Sequence, residues 1–153
     1  MSYNKLKSLV ANVEAIATAM KIRIDDRQAT DQEKEVLSRY SGFGGIKDVL
    51  SIGTEHTVSN DVAEHIHRLQ DLIEAYPYYD DAMRQAVIDS IKSSVLTAFY
   101  TPKFLIDAVA RQIHATFMDN GLQMRTFLEP SAGIGGFLPV AMPDTRGYAF
   151  EKD

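Results

Sequence analysis

The sequence contains no cysteine. This absence excludes a disulfide framework, a thiolate metal site and a cysteine nucleophile. Long apolar runs are also missing, since none approaches the roughly 20 residues that a membrane-spanning helix requires. The first residues, Met1 to Lys5, lack the apolar segment of a signal peptide. We therefore expect a cytoplasmic protein with no membrane partner.

Clusters of basic residues are scarce as well. The chain has 21 acidic and 16 basic residues, a net charge of −5, and its lysines and arginines form no dense cluster. Surfaces that bind DNA are usually basic, because neutralising phosphate charge supplies much of the affinity. We expect this chain alone to bind DNA weakly or not at all. Its 153 residues suit one domain, or a small domain and part of another.

Helical periodicity dominates the first two thirds of the chain. Apolar residues recur at three- and four-residue spacing between residues 4 and 21, which predicts an amphipathic helix with Asn12 on its polar face. Its apolar positions are Leu6, Leu9, Val10, Val13, Ile16, Ala17 and Met20. The capping-box spacing of Thr30 and Glu33 predicts a second helix over residues 31–40.

Four further helical segments follow from the same pattern. The first is a short helix from Ile46 to Leu50, and the second is capped by Ser59 or Asn60 and ends near Ala75. The third is opened by Asp80-Asp81 and runs through Val95. The fourth has Thr101 as N-cap and Pro102 as first residue, and it ends at Asn120-Gly121. His65 and His67 lie two positions apart and would not face each other on a helix. Together with His56 upstream, these two histidines suggest a metal site, but we expect a solvated polar face and no bound metal.

Two aromatic loops interrupt the helices. Ser41-Gly42-Phe43-Gly44-Gly45 is typical of a helix C-cap with a hydrophobic plug, and the alternative is a loop that lines a ligand or partner site. Tyr76-Pro77-Tyr78-Tyr79 is expected to pack onto the helices. Its alternative is stacking on nucleic-acid bases.

The most informative stretch is Phe127 to Leu138. An apolar run, Glu129-Pro130, and a glycine-rich segment predict a strand, a tight turn and the start of a helix. Gly147 to Glu151 predicts a second strand that ends in an acid. In such a βαβ unit the ligand lies at the carboxyl ends of the strands, and an acid about twenty residues beyond the glycines can accept hydrogen bonds from ribose hydroxyls.

Neither common phosphate-binding motif fits this turn. After Gly133 and Gly135, the third glycine of a dinucleotide fingerprint is replaced by Leu138. The Lys-Ser or Lys-Thr of a P-loop is also missing. A dinucleotide or a nucleoside triphosphate is therefore disfavoured as the ligand.

The segment Glu129-Pro130-x-x-Gly133-x-Gly135-x-Phe137 resembles the cofactor motif of the amino-methylating, S-adenosylmethionine-dependent DNA methyltransferases. Phe99-Tyr100-Thr101-Pro102 resembles the other cofactor motif of that family, and the order of the two resembles the adenine-N6 group. Residues 27–30, 40–45 and 96–101 resemble the N-terminal part of large methylase–helicase proteins of phages and conjugative elements.

The resemblance implies S-adenosyl-L-methionine as cofactor and assigns roles to residues. Glu129 would bind near the methionine amino group, Glu151 would accept from the ribose hydroxyls, and the backbone of Gly133 to Phe137 would pass beneath the cofactor. The implied cofactor-binding residues are Phe99, Tyr100, Thr101, Pro102, Glu129, Pro130, Ser131, Ala132, Gly133, Gly135, Phe137 and Glu151. The first four of these would cover the methionyl side. Structural alternatives are a strand-end cap for Glu129, core packing for the two aromatics and a helix cap for Thr101.

The family's Asn- or Asp-Pro-Pro-aromatic motif, which holds the target amine, is missing. The chain has five prolines and no two are adjacent, so we assign no catalytic residue. The resemblance therefore implies an N-terminal fragment of a DNA adenine methyltransferase that is inactive alone, binds S-adenosylmethionine weakly and meets DNA through the full-length protein.

The expected fold is mostly α, with an incomplete α/β, Rossmann-like methyltransferase unit at the C-terminus. Residues 1–96 would form a helical region, and residues 97–153 would begin the cofactor-binding domain. Two alternatives stay open: a methyltransferase fragment acting on RNA, protein or a small molecule, and a helical interaction module without catalysis. The oligomeric state is not predicted.

Overall fold

The structure is a computed structural model that describes residues 4–54 and 59–151. Within these ranges it is mostly helical, as predicted, and its strands form a two-stranded parallel sheet. The α-helices are α1 (Lys5–Ile24), α2 (Asp31–Leu37), α3 (Asn60–Ala75), α4 (Asp81–Ser94) and α5 (Lys103–Asp119), the 3₁₀ helices are Lys47–Ser51 and Leu138–Val140, and the strands are β1 (Thr126–Glu129) and β2 (Arg146–Ala149). Contacts divide the chain into two compact units, Met1–Phe99 and Tyr100–Asp153.

The hydrophobic core of the first unit is built from α1, α3, α4 and the segment between α2 and α3. Its buried members are Leu9, Val13, Phe43, Ile46, Val49, Ile52, Ile66, Leu69, Ile73, Ile91 and Val95. The buried stripe predicted for α3 is confirmed, since Ile66, Leu69 and Ile73 are inaccessible and Val62 packs against them half-buried. Burial of these faces, rather than helix propensity, supplies most of the stability of such helices.

Asn12 is fully buried, so its predicted position on the polar face of α1 is wrong. Its Nδ2 donates a hydrogen bond to the Gly42 carbonyl at 2.7 Å, and its Oδ1 accepts one from the Ser41 backbone N–H at 2.8 Å. A buried amide is tolerated because both of its ends are hydrogen-bonded. Position 12 lies three residues after Leu9 and four before Ile16, on the apolar stripe.

Phe43 lies in the core with 1% of its surface exposed, and its ring meets Tyr40 edge-on with centroids 6.3 Å apart. The hydrophobic-plug interpretation of this loop therefore agrees with the structure. However, α2 ends at Leu37, not near Tyr40 as predicted. The N–H groups of Arg39 and Tyr40 bond three residues back, to Val36 and Leu37, which tightens and ends the helix.

The start of α2 is held by an ion pair. Two Arg27 nitrogens donate to the two oxygens of Glu33 at 2.8 and 2.7 Å. The predicted capping box is confirmed, because Glu33 also accepts from the Thr30 N–H and donates its own N–H to the Thr30 hydroxyl. Hydrogen bonds from Arg27 and then from Thr30 hold the pKa of Glu33 well below its ordinary value.

In the second unit, β1 and β2 pair in parallel with Phe127 opposite Gly147 and Glu129 opposite Ala149. No α-helix begins at the glycine turn, so that expectation is wrong. Turns lead instead to the 3₁₀ helix Leu138–Val140. Pro139 explains the difference: it lacks an N–H to donate, and it disfavours the α conformation of the residue before it. His114 of α5 contacts the Val140 carbonyl at 2.7 Å and ties that short helix to α5.

Two predicted helix ends are confirmed and one is wrong. Asp80 caps α4 by accepting from the Met83 N–H at 2.8 Å. The α5 helix ends at Asp119 with Asn120 as its C-cap, as predicted. Its N-cap, however, is Pro102 and not Thr101. Proline fixes φ but leaves ψ free, and at Pro102 ψ is 141°, an extended value that places this residue just outside the helix.

Across the described ranges, no helix has the length and apolar character that crossing a membrane requires.

Replacing Asn12 tests its role in the first unit. Asn12→Ala leaves the buried Gly42 carbonyl and the Ser41 N–H without their side-chain partner, so we expect a loss of about 2 kcal/mol in the free energy of unfolding. Urea denaturation followed by circular dichroism measures it. Gln32→Ala, at an exposed position of α2, is the control and should change stability little. Equal effects of the two substitutions would contradict the role of Asn12.

The low pKa of Glu33 makes its contribution to stability pH-dependent. A carboxylate whose pKa is lowered by folding stabilises the protein above its unfolded pKa, about 4.3, and this contribution is lost as the pH falls further. Glu33→Gln should therefore lower the melting temperature at pH 7, and the difference from wild type should shrink at pH 3. Glu35→Gln, at an exposed position of the same helix, controls for the loss of one charge. A difference equal at both pH values would refute this account.

Candidate functional site

The glycine turn between β1 and the 3₁₀ helix is fastened to the end of β2 at one residue. The Phe150 N–H donates to the Glu129 carbonyl at 2.9 Å, and the Ala132 N–H donates to the Phe150 carbonyl at 2.8 Å. Pro130 and Ser131 therefore form an exposed arch between two fixed points. Glu151 follows Phe150 directly, so the pairing that closes the arch also sets the position of Glu151.

Two carboxylates bind backbone N–H groups of this turn. Glu129 accepts from the Ser131 N–H at 3.3 Å, and Glu151 accepts from the Gly133 N–H. Glu151 lies two residues beyond the end of β2, not within the strand as predicted. Both acids nevertheless lie at the carboxyl ends of parallel strands, where α/β units bind their ligands.

This arrangement disfavours a phosphate ligand. In a phosphate-binding turn the backbone N–H groups are directed at the anion, and a negative charge beside them would repel it. Here Glu129 and Glu151 supply the negative charge themselves. A ligand with hydroxyl donors or positive charge is better matched to two carboxylates than a nucleotide phosphate is.

Tyr100 packs against the turn at Gly133. A Cβ at this position would lie 2.7 Å from the Tyr100 ring, and Gly133 has a φ of +53°, which favours glycine. Gly135 adopts a φ of +75° and its N–H donates to the Ala132 carbonyl at 2.7 Å. The two segments that resemble cofactor motifs thus meet in the second unit through Tyr100 and Gly133.

The remaining predicted residues differ in their surroundings. Thr101 and Phe137 are half-buried, and Pro102 is exposed. Phe137 accepts a hydrogen bond from the Val140 N–H at 2.9 Å, which places it at the start of the 3₁₀ helix. Phe99 is the last residue of the first unit and is 67% exposed, which contradicts core packing as its alternative role.

No group of three metal-ligating side chains occurs in the portion of the chain that the structure describes. His67 is exposed. His65 is half-buried, with its Nδ1 shielded from solvent, and so does not lie on a fully solvated face as predicted. His56 lies outside the described residues.

Sequence reasoning missed the buried position of Asn12 and the packing of Tyr100 against Gly133. Asn12 escaped notice because polarity was given more weight than its position on the helical stripe, and the spacing from Leu9 to Ile16 was the available signal. The packing of Tyr100 on Gly133 joins residues more than thirty positions apart, and no local pattern indicates such a contact.

Comparison of the chain with protein-family models, with curated proteins and with solved structures finds no match. The assignment of a ligand to the turn therefore depends on the motifs and on the geometry of the second unit.

Substitution of Gly133 tests the packing of the turn. Gly133→Ala places a Cβ against Tyr100 and in a left-handed conformation, whereas Gly121→Ala has a similar φ of +62° but open space around it. We expect Gly133→Ala to cost about 1–3 kcal/mol more than Gly121→Ala, because only it forces overpacking. Hydrogen exchange of the β1 and β2 amides measures the stability of this unit.

The same comparison in a Tyr100→Ala background is the control. With the ring removed, the two glycine substitutions should cost similar amounts, since only the backbone strain remains. If the difference persists without Tyr100, the contact between Tyr100 and Gly133 is not its cause.

Proposed function

We propose that the glycine turn of the second unit binds S-adenosylmethionine and that the chain is part of a DNA adenine-N6 methyltransferase. The single observation that carries this proposal is the placement of Glu151 against the turn. An acid after the second strand accepts from the Gly133 N–H, at the strand end where nucleoside-binding βαβ units hold the ribose hydroxyls. The motif resemblance then selects the methyl donor among nucleoside ligands.

The charges of the site suit this ligand. S-adenosylmethionine carries a positive sulfonium and a positive ammonium group, has two ribose hydroxyls and lacks phosphate. Glu151 offers a carboxylate to the hydroxyls, and Glu129 offers one to the ammonium group, directly or through water. Charge-assisted hydrogen bonds of this kind are roughly twice as strong as neutral ones.

The remaining residues have supporting roles in this proposal. The backbone of Gly133 to Phe137 passes beneath the cofactor, where the missing side chain of Gly133 and the packing of Tyr100 leave the turn compact. Phe99, Tyr100, Thr101 and Pro102 cover the methionyl side. The Rossmann-like character of the second unit belongs to the proposal too, with β1 and β2 as the first strands of its sheet.

Adenine as the methyl acceptor follows from the order of the two motifs. Holding the flipped base's amine in line with the methyl group requires positioned polar groups, and no adjacent prolines supply the family's motif for that task in this sequence. We therefore assign cofactor binding to this chain and no catalytic residue. DNA is the proposed partner of the whole enzyme rather than of these acidic residues.

Calorimetric titration with S-adenosylmethionine tests the role of Glu151. Wild type should bind weakly, because a two-stranded sheet is marginal. Glu151→Ala should lower the affinity by about tenfold or more, since a hydrogen bond to a charged group is worth about 1.5–3 kcal/mol. Glu151→Gln keeps an acceptor for the Gly133 N–H and should show an intermediate loss. Asp119→Ala, which removes an exposed carboxylate at the end of α5, is the control.

The outcomes separate the candidate functions. Binding that Glu151→Ala leaves unchanged would contradict the ribose role. Competition by ATP as strong as by S-adenosylmethionine would contradict the charge complementarity described above. Wild type that binds no cofactor and associates with itself would favour a helical interaction module.

A further inference from the structure

A cleft lies between the C-terminal halves of α1 and α3, within the first unit. Its volume is about 390 Å³, and small-molecule sites in proteins typically measure about 300–1,000 Å³. Apolar side chains at helical spacing form most of the wall of this α1–α3 cleft. They are Ala17, Met20 and Ile24 on α1, Leu72 and Ala75 on α3, and Tyr76 directly after α3. The cleft therefore offers apolar surface to a ligand from both helices.

Tyr76 fixes part of this wall. It is 4% exposed, and its ring meets those of Tyr78 and Tyr79 edge-on, with centroids 5.4 and 4.6 Å apart. Tyr79 in turn packs against the hydrophobic core of the first unit. Aromatic pairs of this geometry are favourable beyond the area that they bury. The wall at Tyr76 is therefore formed before any ligand binds.

Two positive side chains also line the α1–α3 cleft, Lys21 from α1 and Arg68 from α3. Both are exposed, and within residues 4–54 and 59–151 neither forms an ion pair or a side-chain hydrogen bond. Lys21 lies in the last turn of α1, where the helix dipole favours a cation. Arg68 lies in the middle of α3, where no helix end accounts for its charge.

The two cations lie where the α1–α3 cleft meets a second one. This adjoining cleft has a volume of about 350 Å³ and shares Ala17, Lys21 and Arg68 with the first. One acid lines each cleft, Asp71 the first and Glu14 the second. Each cleft thus has two positive charges and one negative charge. This balance favours an anionic group over a cationic one beside Lys21 and Arg68.

We propose that the α1–α3 cleft binds a small amphiphilic carboxylate, with its alkyl chain between the two helices and its carboxylate at Lys21 and Arg68. Burial of the chain supplies affinity, and charge-assisted hydrogen bonds to the two cations orient the ligand. From Ala17 to Ile24 the cleft extends about 10 Å along α1, which suits an alkyl chain of medium length. The site belongs to the first unit alone and does not depend on the proposed function.

Titration of the full chain with octanoate and with octanol tests the role of the two cations. Octanol has the same alkyl chain without the charge. Wild type should bind octanoate about tenfold more tightly than octanol, the scale of two exposed charge contacts. Lys21→Gln/Arg68→Gln should remove this preference and leave octanol binding unchanged. Chemical shifts of the backbone amides measure both affinities, and the largest changes should fall on α1 and α3.

A matched double variant controls for the loss of two positive charges. Lys7→Gln/Arg23→Gln removes two exposed cations of α1 that do not line the cleft. It should weaken octanoate binding by less than about twofold, because distant exposed charges are largely screened. An equal loss from the two double variants would overturn the assignment of the carboxylate to Lys21 and Arg68.

Filling the cleft tests the place of the alkyl chain. Ala75 is exposed, so Ala75→Phe adds a ring to the cleft without removing a core contact. It should weaken both ligands by about tenfold or more, because the ring takes the apolar surface that the chain would bury. Ala19→Phe, at an exposed position of α1 outside the cleft, is the control and should have little effect. Circular dichroism checks that both variants fold.

Three results would overturn the proposal. The first is the absence of saturable octanoate binding, which would leave a partner helix as the candidate occupant. The second is octanol binding as tight as octanoate binding in wild type. The third is self-association of wild type that Ala75→Phe abolishes, measured by sedimentation, which would assign the cleft to a second copy of the chain.

Discussion

The first unit depends on the two hydrogen bonds that a buried asparagine makes with a loop backbone. Asn12 accepts a hydrogen bond from the Ser41 N–H and donates one to the buried Gly42 carbonyl, which would otherwise lack this partner. Phe43 can then enter the core, and Gly44 and Gly45 can lie against the chain after α4. These two hydrogen bonds specify one arrangement of the loop, since an apolar residue at position 12 could not hydrogen-bond its backbone.

In the second unit, backbone hydrogen bonds and two carboxylates fix the conformation of the glycine turn. There the backbone of Phe150 joins both ends of the arch Glu129–Ala132, and the carboxylates of Glu129 and Glu151 bind the N–H groups within it. These hydrogen bonds fix the conformation of the turn although no α-helix follows it, because Pro139 disfavours such a helix. A negatively lined turn of this kind supports a cationic, hydroxyl-bearing ligand such as the proposed methyl donor.

Much of the fold followed from local patterns, and the errors have identifiable causes. Periodicity and caps predicted the five α-helices, the α2 capping box and the end of α5, because these depend on neighbours in sequence. The burial of Asn12, the early end of α2 and the shift of the N-cap from Thr101 to Pro102 depend on tertiary partners or on an unconstrained ψ. The candidate site was located by motif and by Glu151, whereas the packing of Tyr100 on Gly133 was not predictable, and the roles of the site residues stay predictions.

Helix α2 contains no fully buried residue, and its start is held by the polar network of Thr30, Arg27 and Glu33. The loop that follows has separate anchors in Asn12 and Phe43. Opening of α2 should therefore cost less free energy than opening of the loop, which keeps its place in the core. Raised ionic strength, which screens exposed charge pairs, would increase such opening of α2 selectively. Proteolysis in this region would then begin at α2, leaving the Phe43 anchor intact.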